Sequence, residues 1–237
     1  MIWIGTSGFQ YPEWKGTFYP EDLSTKKMLS YYAGHFPTTE VNYSFYRIPS
    51  VKTLSGWAAE TPADFRFSLK APQQMTHVKK LRDCRDVLER FWDAARTLRE
   101  KLGAILFQLP PYFKKDIAVL KDFLGALPPE MQSAFEFRHD SWFDDEVFSA
   151  LRANKAALCI ADSEKLSAPV VMTAGHGYFR LRDTGYTSED IARWTGVIQA
   201  QHQQPKDIYV YFKHEESGVG PQFAKQMIDA LQLTRSA

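Results

Sequence analysis

The chain has 237 residues, of which 44% are hydrophobic and 24% charged, and its formal net charge at pH 7 is +1. This composition excludes a disordered chain, and the small net charge argues against a uniformly basic nucleic-acid coat protein. The start of the chain does not have the pattern of a signal peptide, and no apolar run reaches the length of a membrane span. We therefore expect a cytoplasmic protein without membrane association.

Short apolar runs alternate with helical patterns from one end of the chain to the other. Strands are predicted at 2–6, 38–43, 65–70, 103–109, 133–138, 156–162, 177–182 and 207–213. Helices are predicted at 24–34, 50–59, 83–101, 114–124, 144–153, 188–201 and 221–231. Repeated strand–helix units indicate a parallel sheet with right-handed crossovers, and eight units fit a closed barrel better than an open sheet.

We therefore predict an α/β fold, a single (β/α)8 TIM-type barrel that spans residues 1–237 as one domain. The connection between the sixth and seventh strands is expected to be irregular. Residues 163–176 contain Pro169 and Gly175 and show no helical pattern. About a dozen residues nevertheless suffice for a parallel crossover.

The fifth predicted strand contains Phe135-Glu136-Phe137-Arg138-His139, in which alternate residues point to opposite sides. Because the aromatic side suits packing against helices, the side with Glu136 and Arg138 is expected to face into the barrel. Functional groups of such barrels gather at the carboxyl ends of the strands. The same argument assigns these residues to the inner side: Glu40, Asn42, Arg66, Ser68, Lys70, Gln108, Asp162, Arg180, Arg182, Tyr209, Tyr211 and Lys213.

Cations outnumber carboxylates on this predicted inner side. Buried charges must be paired or must meet a charged ligand, so the excess indicates an anionic ligand such as a phosphate or carboxylate. Some of these charges could instead form structural ion pairs, and Arg66 is expected to do so. The Gly218-x-Gly220 turn before the last helix could add backbone N–H groups for an anion, whereas Glu215 and Glu216 would oppose it if they faced inward.

Large rings are unusually frequent in the loops, in residues 5–20 and at Tyr43, Phe45, Tyr46 and Trp142. They are expected either to pack as a lid or to offer a stacking platform, and both roles could apply to different rings. We count Tyr46 and Trp142 among the candidate ligand contacts.

Three histidines, His77, His139 and His214, follow strand ends and are candidates for acid–base chemistry, the first two more than the third. Glu136 is expected to stay ionised beside Arg138 and to serve as a base rather than an acid. No cofactor is predicted. A divalent metal held by Glu40, Glu136, Asp162 and a histidine is the alternative, although the excess of cations disfavours it.

Several motifs resemble those of one protein family. They are Gly5-Thr6-Ser7-Gly8-Phe9 with Trp14-x-Gly16-x-Phe18-Tyr19-Pro20, Glu40-Val41-Asn42-x-x-Phe45-Tyr46, Phe67-x-x-Lys70-x-Pro72 with Thr76-His77, Leu106-Phe107-Gln108-Leu109-Pro110-Pro111, and Glu136-x-Arg138-His139-x-Ser141-Trp142. Over essentially its whole length the chain resembles the YecE-like family, also called domain of unknown function 72. The resemblance implies a TIM-type barrel and no established reaction. Where many members carry Tyr-Phe-Asn-Asn, this chain has Tyr211-Phe212-Lys213-His214.

Three functions are compatible with these patterns. The first is an enzyme for an anionic small molecule, in which Glu136, His77 and His139 would be catalytic and the pocket cations would hold the anion. The second is a nucleic-acid-binding or nucleic-acid-processing barrel, whose loop rings would stack on bases; the small net charge makes it the weaker hypothesis. The third is a non-catalytic protein that binds a ligand in the same pocket.

Overall fold

The computed structural model describes residues 1–163, 166–201, 207–214 and 218–232. Its strands are β1 (Ile2–Ser7), β2 (Thr38–Val41), β3 (Arg66–Lys70), β4 (Leu102–Gln108), β5 (Ser133–Glu136), β6 (Ala157–Asp162), β7 (His176–Leu181) and β8 (Asp207–Phe212). They form one closed parallel barrel in sequence order, in which β8 pairs with β1. The predicted α/β barrel is confirmed.

The helices that surround this barrel are α1 (Met28–His35), α2 (Tyr43–Tyr46), α3 (Val51–Ala59), α4 (Arg85–Ala95), α5 (Ile117–Ala126), α6 (Asp145–Ala153), α7 (Ser188–Gln201) and α8 (Val219–Ala230). Four of them begin after a described residue whose side chain accepts a backbone N–H bond, namely Ser50, Asp116, Asp144 and Thr187. No helix in the described ranges is long and apolar enough to cross a membrane.

Two connections differ from regular strand–helix units. The predicted helix 83–101 is α-helical only to Ala95; a 3-10 segment, Arg96–Lys101, follows, and the positive φ of Arg99 (50°) turns the chain towards β4. Between β6 and β7, the described residues 163 and 166–175 contain no helix, as predicted.

The two faces of the strands bury different kinds of side chain. Phe135, Phe137, Phe179 and Leu181 belong to the core between barrel and helices, which confirms the side predicted for them. The barrel interior is filled by small residues and large rings: Trp3, Ala104, Leu106, Ala134, Ala157, Cys159, Ala161, Tyr178, Tyr209 and Tyr211. The small residues leave space for the rings and, above them, for the charged side chains at the carboxyl end.

Arg66 lies at the opposite end of the barrel. It is the first residue of β3, and its guanidinium lies over the ring of Trp3 at 4.9 Å. Among the described residues no carboxylate oxygen comes within 4.0 Å of it, so the predicted ion pair is wrong. Because β3 begins there, Arg66 does not contribute to the charge at the carboxyl end.

Candidate functional site

Arg180 of β7 lies at the centre of the carboxyl end of the barrel and is completely buried. Its Nε and Nη2 donate to both oxygens of Glu40 on β2, at 2.8–3.0 Å. Its Nη1 donates to Oε2 of Glu136 on β5, at 3.0 Å. A buried arginine with two buried carboxylates satisfies the requirement that interior charges be paired. Arg180 was predicted to contact the ligand, but its position makes it a structural bridge across the barrel.

Glu40 has further donors that fix its orientation. Ser7 Oγ donates to Oε1, Tyr178 Oη donates to Oε2 at 2.7 Å, and Asn42 Nδ2 donates to the same Ser7 hydroxyl at 2.9 Å. Burial alone would raise the pKa of Glu40, but the charge and hydrogen bonds of Arg180 outweigh it and hold that pKa below its usual range. Asn42 therefore reaches the network indirectly, from the residue before α2 rather than from within β2.

Glu136 is held on one side only. Its Oε2 accepts from Arg180 and from Gln108 Nε2 at 2.8 Å, whereas its Oε1 is buried and has no hydrogen-bond partner among the described residues. The Nε of Arg138 lies 4.0 Å from Oε1, beyond hydrogen-bond distance. Burial raises the pKa of Glu136, but Arg180 and Arg182 outweigh that effect and lower it overall. The carboxylate is therefore ionised, as predicted, and Arg180 rather than Arg138 is its main partner.

A cavity of about 420 Å³ lies beside Glu136, which is one of the residues that line it. Arg138 and Arg182 line it, together with residues of β6, the β6–β7 connection and the segments that follow β4 and β7: Ala161, Ser163, Leu166, Ala168, Pro111 and Thr184. The Nε of Arg182 is also buried without a hydrogen-bond partner among the described residues. The cavity is thus lined by a carboxylate residue that has one oxygen without a hydrogen-bond partner among the described residues, and by two arginines.

Lys70, at the end of β3, adds a further buried cation. Its Nζ lies 4.0 Å from the centre of the Phe45 ring, and no carboxylate oxygen of the described residues lies within 4.0 Å of it. Burial, with the charge of Arg180, lowers the pKa of Lys70 to about 8. Lys213 is close enough to contribute to the same effect.

His77 lies beside this lysine in the π-helical turn Gln74–Val78, a type of turn that is frequent at functional sites. Its ring packs edge-on against Phe45 at 5.0 Å, and its Nδ1 shares a hydrogen bond with Thr76 Oγ1 at 2.9 Å. Burial lowers the pKa of His77, and Lys70 and Arg138 lower it further. The imidazole is therefore neutral at physiological pH and able to accept a proton.

Asp162 was predicted to point into the barrel, and this is wrong. Its carboxylate accepts from Ser167 Oγ at 2.9 Å, Tyr186 Oη at 2.8 Å and Trp194 Nε1 at 3.0 Å. Since Trp194 lies on α7, Asp162 faces the helix layer. The metal ligand set that included it is thereby divided, and within the described residues no three His, Cys, Asp or Glu side chains form a group that could hold a metal ion.

Two other candidates are engaged elsewhere. The indole of Trp142 is buried, stacks on Phe137 at 4.7 Å and donates to the carbonyl of Phe113, so it cannot stack on a ligand. His139 caps a 3-10 turn: its Nδ1 accepts from the backbone N of Ser141 at 3.2 Å, and it is not among the residues that line the cavity. The predicted roles of Trp142 as a platform and His139 as a proton shuttle therefore have no geometric support.

The rings of the loop after β1 pack into the core between the barrel and α1. Trp14 and Tyr19 are buried, and Phe18 packs edge-on against Tyr31 and Tyr32 of α1. Of the predicted rings, Tyr43 and Tyr46 remain exposed at the rim, Tyr46 by 73%.

The glycine turn before α8 is explained by contacts within the protein. Gly218 has a φ of 74°, and a Cβ there would lie 2.3 Å from Thr17 Oγ1. A Cβ on Gly220 would lie 2.8 Å from the carbonyl oxygen of His214. Both glycines are thus required by chain packing and give no support for an anion cradle. Glu215 and Glu216 lie outside the described residues.

The sequence interpretation missed Ser7 and Tyr178, both of which hold Glu40. The signal for Tyr178 was present, because it alternates with Arg180 on β7 and so shares its inward side. Ser7 ends β1, where the same rule applies, but β1 was predicted to stop one residue earlier.

Comparisons with known proteins agree with this architecture. The family model described as "Protein of unknown function DUF72" matches residues 3–237. The UPF0759 protein YunF of Bacillus subtilis (strain 168) is 28% identical over 279 residues, which cover 100% of this chain and 96% of that protein. The UPF0759 protein YecE of Escherichia coli (strain K12) is 31% identical over 144 residues, 60% of this chain and 50% of that protein.

Two solved structures have the same fold. A DUF72 family protein from Thermotoga maritima superposes with a TM-score of 0.85 at 27% identity, covering 98% of this chain and 99% of that one. A DUF72 family protein from Enterococcus faecalis gives a TM-score of 0.85 at 21% identity, covering 100% and 97%.

Proposed function

Since this chain belongs to the family described as "Protein of unknown function DUF72", we propose its function from its own site: the cavity beside Glu136 binds a small molecule that carries a phosphate or carboxylate group. The observation that carries the proposal is that two arginines, Arg138 and Arg182, line the same cavity. The buried carboxylate beside them, that of Glu136, is already bonded to Arg180.

The charge balance at this end of the barrel supports an anion. Arg138, Arg180, Arg182 and Lys70 face two carboxylates, those of Glu40 and Glu136, among the described residues. Burial lowers the pKa of Arg138, and the charge of Arg182 lowers it further, so the two guanidiniums repel one another. An anion between them would relieve that repulsion and accept charge-assisted hydrogen bonds from both.

Acid–base chemistry is the second part of the proposal. Glu136 is ionised and His77 is neutral, so each is in the protonation state of a general base. Of the two, Glu136 is the one that lines the cavity, and its Oε1 is the carboxylate oxygen that has no hydrogen-bond partner among the described residues. A substrate proton placed against that oxygen would be within reach of transfer.

Thermal unfolding in the presence of anions tests the binding. We expect inorganic phosphate or a sugar phosphate to raise the melting temperature of the wild type, because a ligand that binds only the folded state stabilises it. Arg182→Ala should strongly reduce that shift. Arg90→Ala is the matched control: this arginine is exposed on α4, pairs with Asp86, and should leave the shift unchanged.

Other outcomes decide between the remaining hypotheses. A melting temperature that is flat across a panel of phosphates and carboxylates contradicts the proposal. Salt-sensitive retention of single-stranded oligonucleotides, lost in the same Arg182→Ala variant, would favour a nucleic-acid ligand. Stabilisation by a small molecule without turnover in metabolite profiling would favour a non-catalytic binding protein.

A further inference from the structure

The free oxygen of Glu136 restricts the class of ligand beyond its negative charge. An ionised carboxylate oxygen that is buried without a hydrogen bond is costly, and the described residues supply donors to Oε2 alone. We infer that the anionic ligand of this cavity also carries a hydroxyl group, which donates a hydrogen bond to Glu136 Oε1. This inference rests on the proposed function and names its substrate class: hydroxylated phosphates or carboxylates.

The donor required by Glu136 could in principle be a hydroxyl or an ammonium group. The cavity wall decides between them, because Arg138 and Arg182 already place two positive charges beside that oxygen. An ammonium group would be repelled by both guanidiniums, whereas a hydroxyl donates a proton without adding charge.

The distances place the two ligand groups close together. Arg138 Nε lies 4.0 Å from Glu136 Oε1, so an acceptor of the guanidinium and a donor to the carboxylate occupy neighbouring positions. Arg182 also lines the cavity, and its buried Nε, which has no hydrogen-bond partner among the described residues, supplies a second donor for the anion. The hydroxyl therefore belongs on a carbon only a few bonds from the anionic group. A cavity of about 420 Å³ suits a compact molecule of this type.

The test compares two pairs of probes by isothermal titration calorimetry on the full chain. In the first pair, sn-glycerol 3-phosphate has hydroxyls and n-propyl phosphate has none. In the second, D-glycerate is compared with propanoate, which distinguishes a phosphate from a carboxylate as the anionic group. In whichever pair binds, we expect the hydroxylated probe to have a dissociation constant roughly 5- to 150-fold lower than that of its partner. This is the effect of leaving one buried acceptor unsatisfied.

Variants assign the preference to Glu136. In Arg182→Ala both members of a pair should weaken by a similar factor, so their ratio persists. In Glu136→Gln the ratio should fall towards one, because the amide offers a donor in place of the free acceptor. A folded Glu136→Gln protein that keeps the full ratio overturns the inference; if this variant does not fold, the wild-type ratios decide alone.

The two proposals fail in different ways. Equal affinity for the members of each pair would overturn the hydroxyl requirement while the anion site stands. Absence of binding by all four probes would overturn the anion site and the inference with it. If the wild type prefers the hydroxylated probe and Glu136→Gln loses that preference, both the anion site and the hydroxyl requirement are supported.

Discussion

Glu136 divides the charged residues of the site into a structural part and an open part. Its Oε2 joins Gln108 and the Arg180–Glu40 pair, which together bridge the barrel from β2 to β7. Its Oε1 lies 4.0 Å from Nε of Arg138, and both residues line the cavity. Because one oxygen is fixed by two donors, the other is held in a defined position before any ligand arrives. Such preorganisation is what binding and proton transfer require of a carboxylate.

At the scale of single residues, Lys70 should make the stability of the protein depend on pH. Its pKa is lowered to about 8 in the folded protein, so between pH 8 and 10.5 the unfolded chain binds a proton at this lysine that the folded chain does not. The wild type should therefore gain stability from this group as pH rises through that window, by about 1.4 kcal/mol per pH unit. Lys70→Met should lack that gain. The free energy of unfolding of the variant, relative to that of the wild type, should therefore be highest below pH 8.

Urea unfolding of wild type and variant at several pH values measures the difference. Lys121→Met is the control, since this exposed lysine pairs only at the surface with Glu146. Its free energy of unfolding should follow the wild type across the window. Parallel curves for Lys70→Met and wild type would contradict a depressed pKa at Lys70.

At the scale of elements, side chains on the outer faces of the strands form hydrogen bonds to the helices and loops that surround the site. Asp162, the last residue of β6, binds Trp194 of α7, Tyr186 of the preceding loop and Ser167 of the β6–β7 connection. That connection contributes Leu166 and Ala168 to the cavity wall. Asp162 thus shapes the site from behind the barrel, although its side chain does not enter it.

Tyr186→Phe removes the hydrogen bond between Tyr186 and Asp162 and keeps the aromatic ring in place. Loss of the hydroxyl removes one donor from a buried carboxylate, and we expect a cost of about 1–3 kcal/mol in the free energy of unfolding. Tyr112→Phe, at a tyrosine that is 64% exposed, should change stability by less than about 0.5 kcal/mol. Denaturant titration measures both variants, and equal effects would show that the bond to Asp162 contributes nothing.

At the scale of the whole molecule, closure of the barrel buries the side chains that fill its interior. Cys159 of β6 lies among the interior rings and is 1% exposed, and burial raises the pKa of its thiol. Cys84 lies outside the barrel, at the start of α4, and burial raises its pKa to about 11. Reagents can reach Cys159 only when strands separate, whereas Cys84 requires only local opening of one helix end.

The rates at which Ellman's reagent labels the two thiols test this difference in burial. In Cys84→Ser, the protection of Cys159 should give a free energy of opening equal to that of global unfolding by urea. In Cys159→Ala, the remaining Cys84 should react faster than Cys159 does in the reciprocal variant. Rapid labelling of Cys159 under native conditions would contradict a closed, tightly packed barrel.

The periodicity of the sequence was sufficient for the barrel and for one wall of its site. Eight strand–helix units predicted the closed parallel sheet, and the alternation of aromatic and charged residues predicted the inward side of Glu136, Arg138 and Arg180. Where one face of a strand is apolar and the other charged, only one orientation avoids burying unpaired charge against the helices. The chain itself therefore determines that orientation.

Only the tertiary structure decided how these charges are shared. Strand β6 reads Ala-Leu-Cys-Ile-Ala-Asp and is apolar on both faces, so its alternation does not reveal which side faces inward, and Asp162 proved to face out. Arg180 could have met a ligand, but barrel closure brings it to Glu40, 140 positions away in the chain. The physical reason is that alternation is a local property of each strand, whereas ion pairing depends on which strands closure and register place opposite one another.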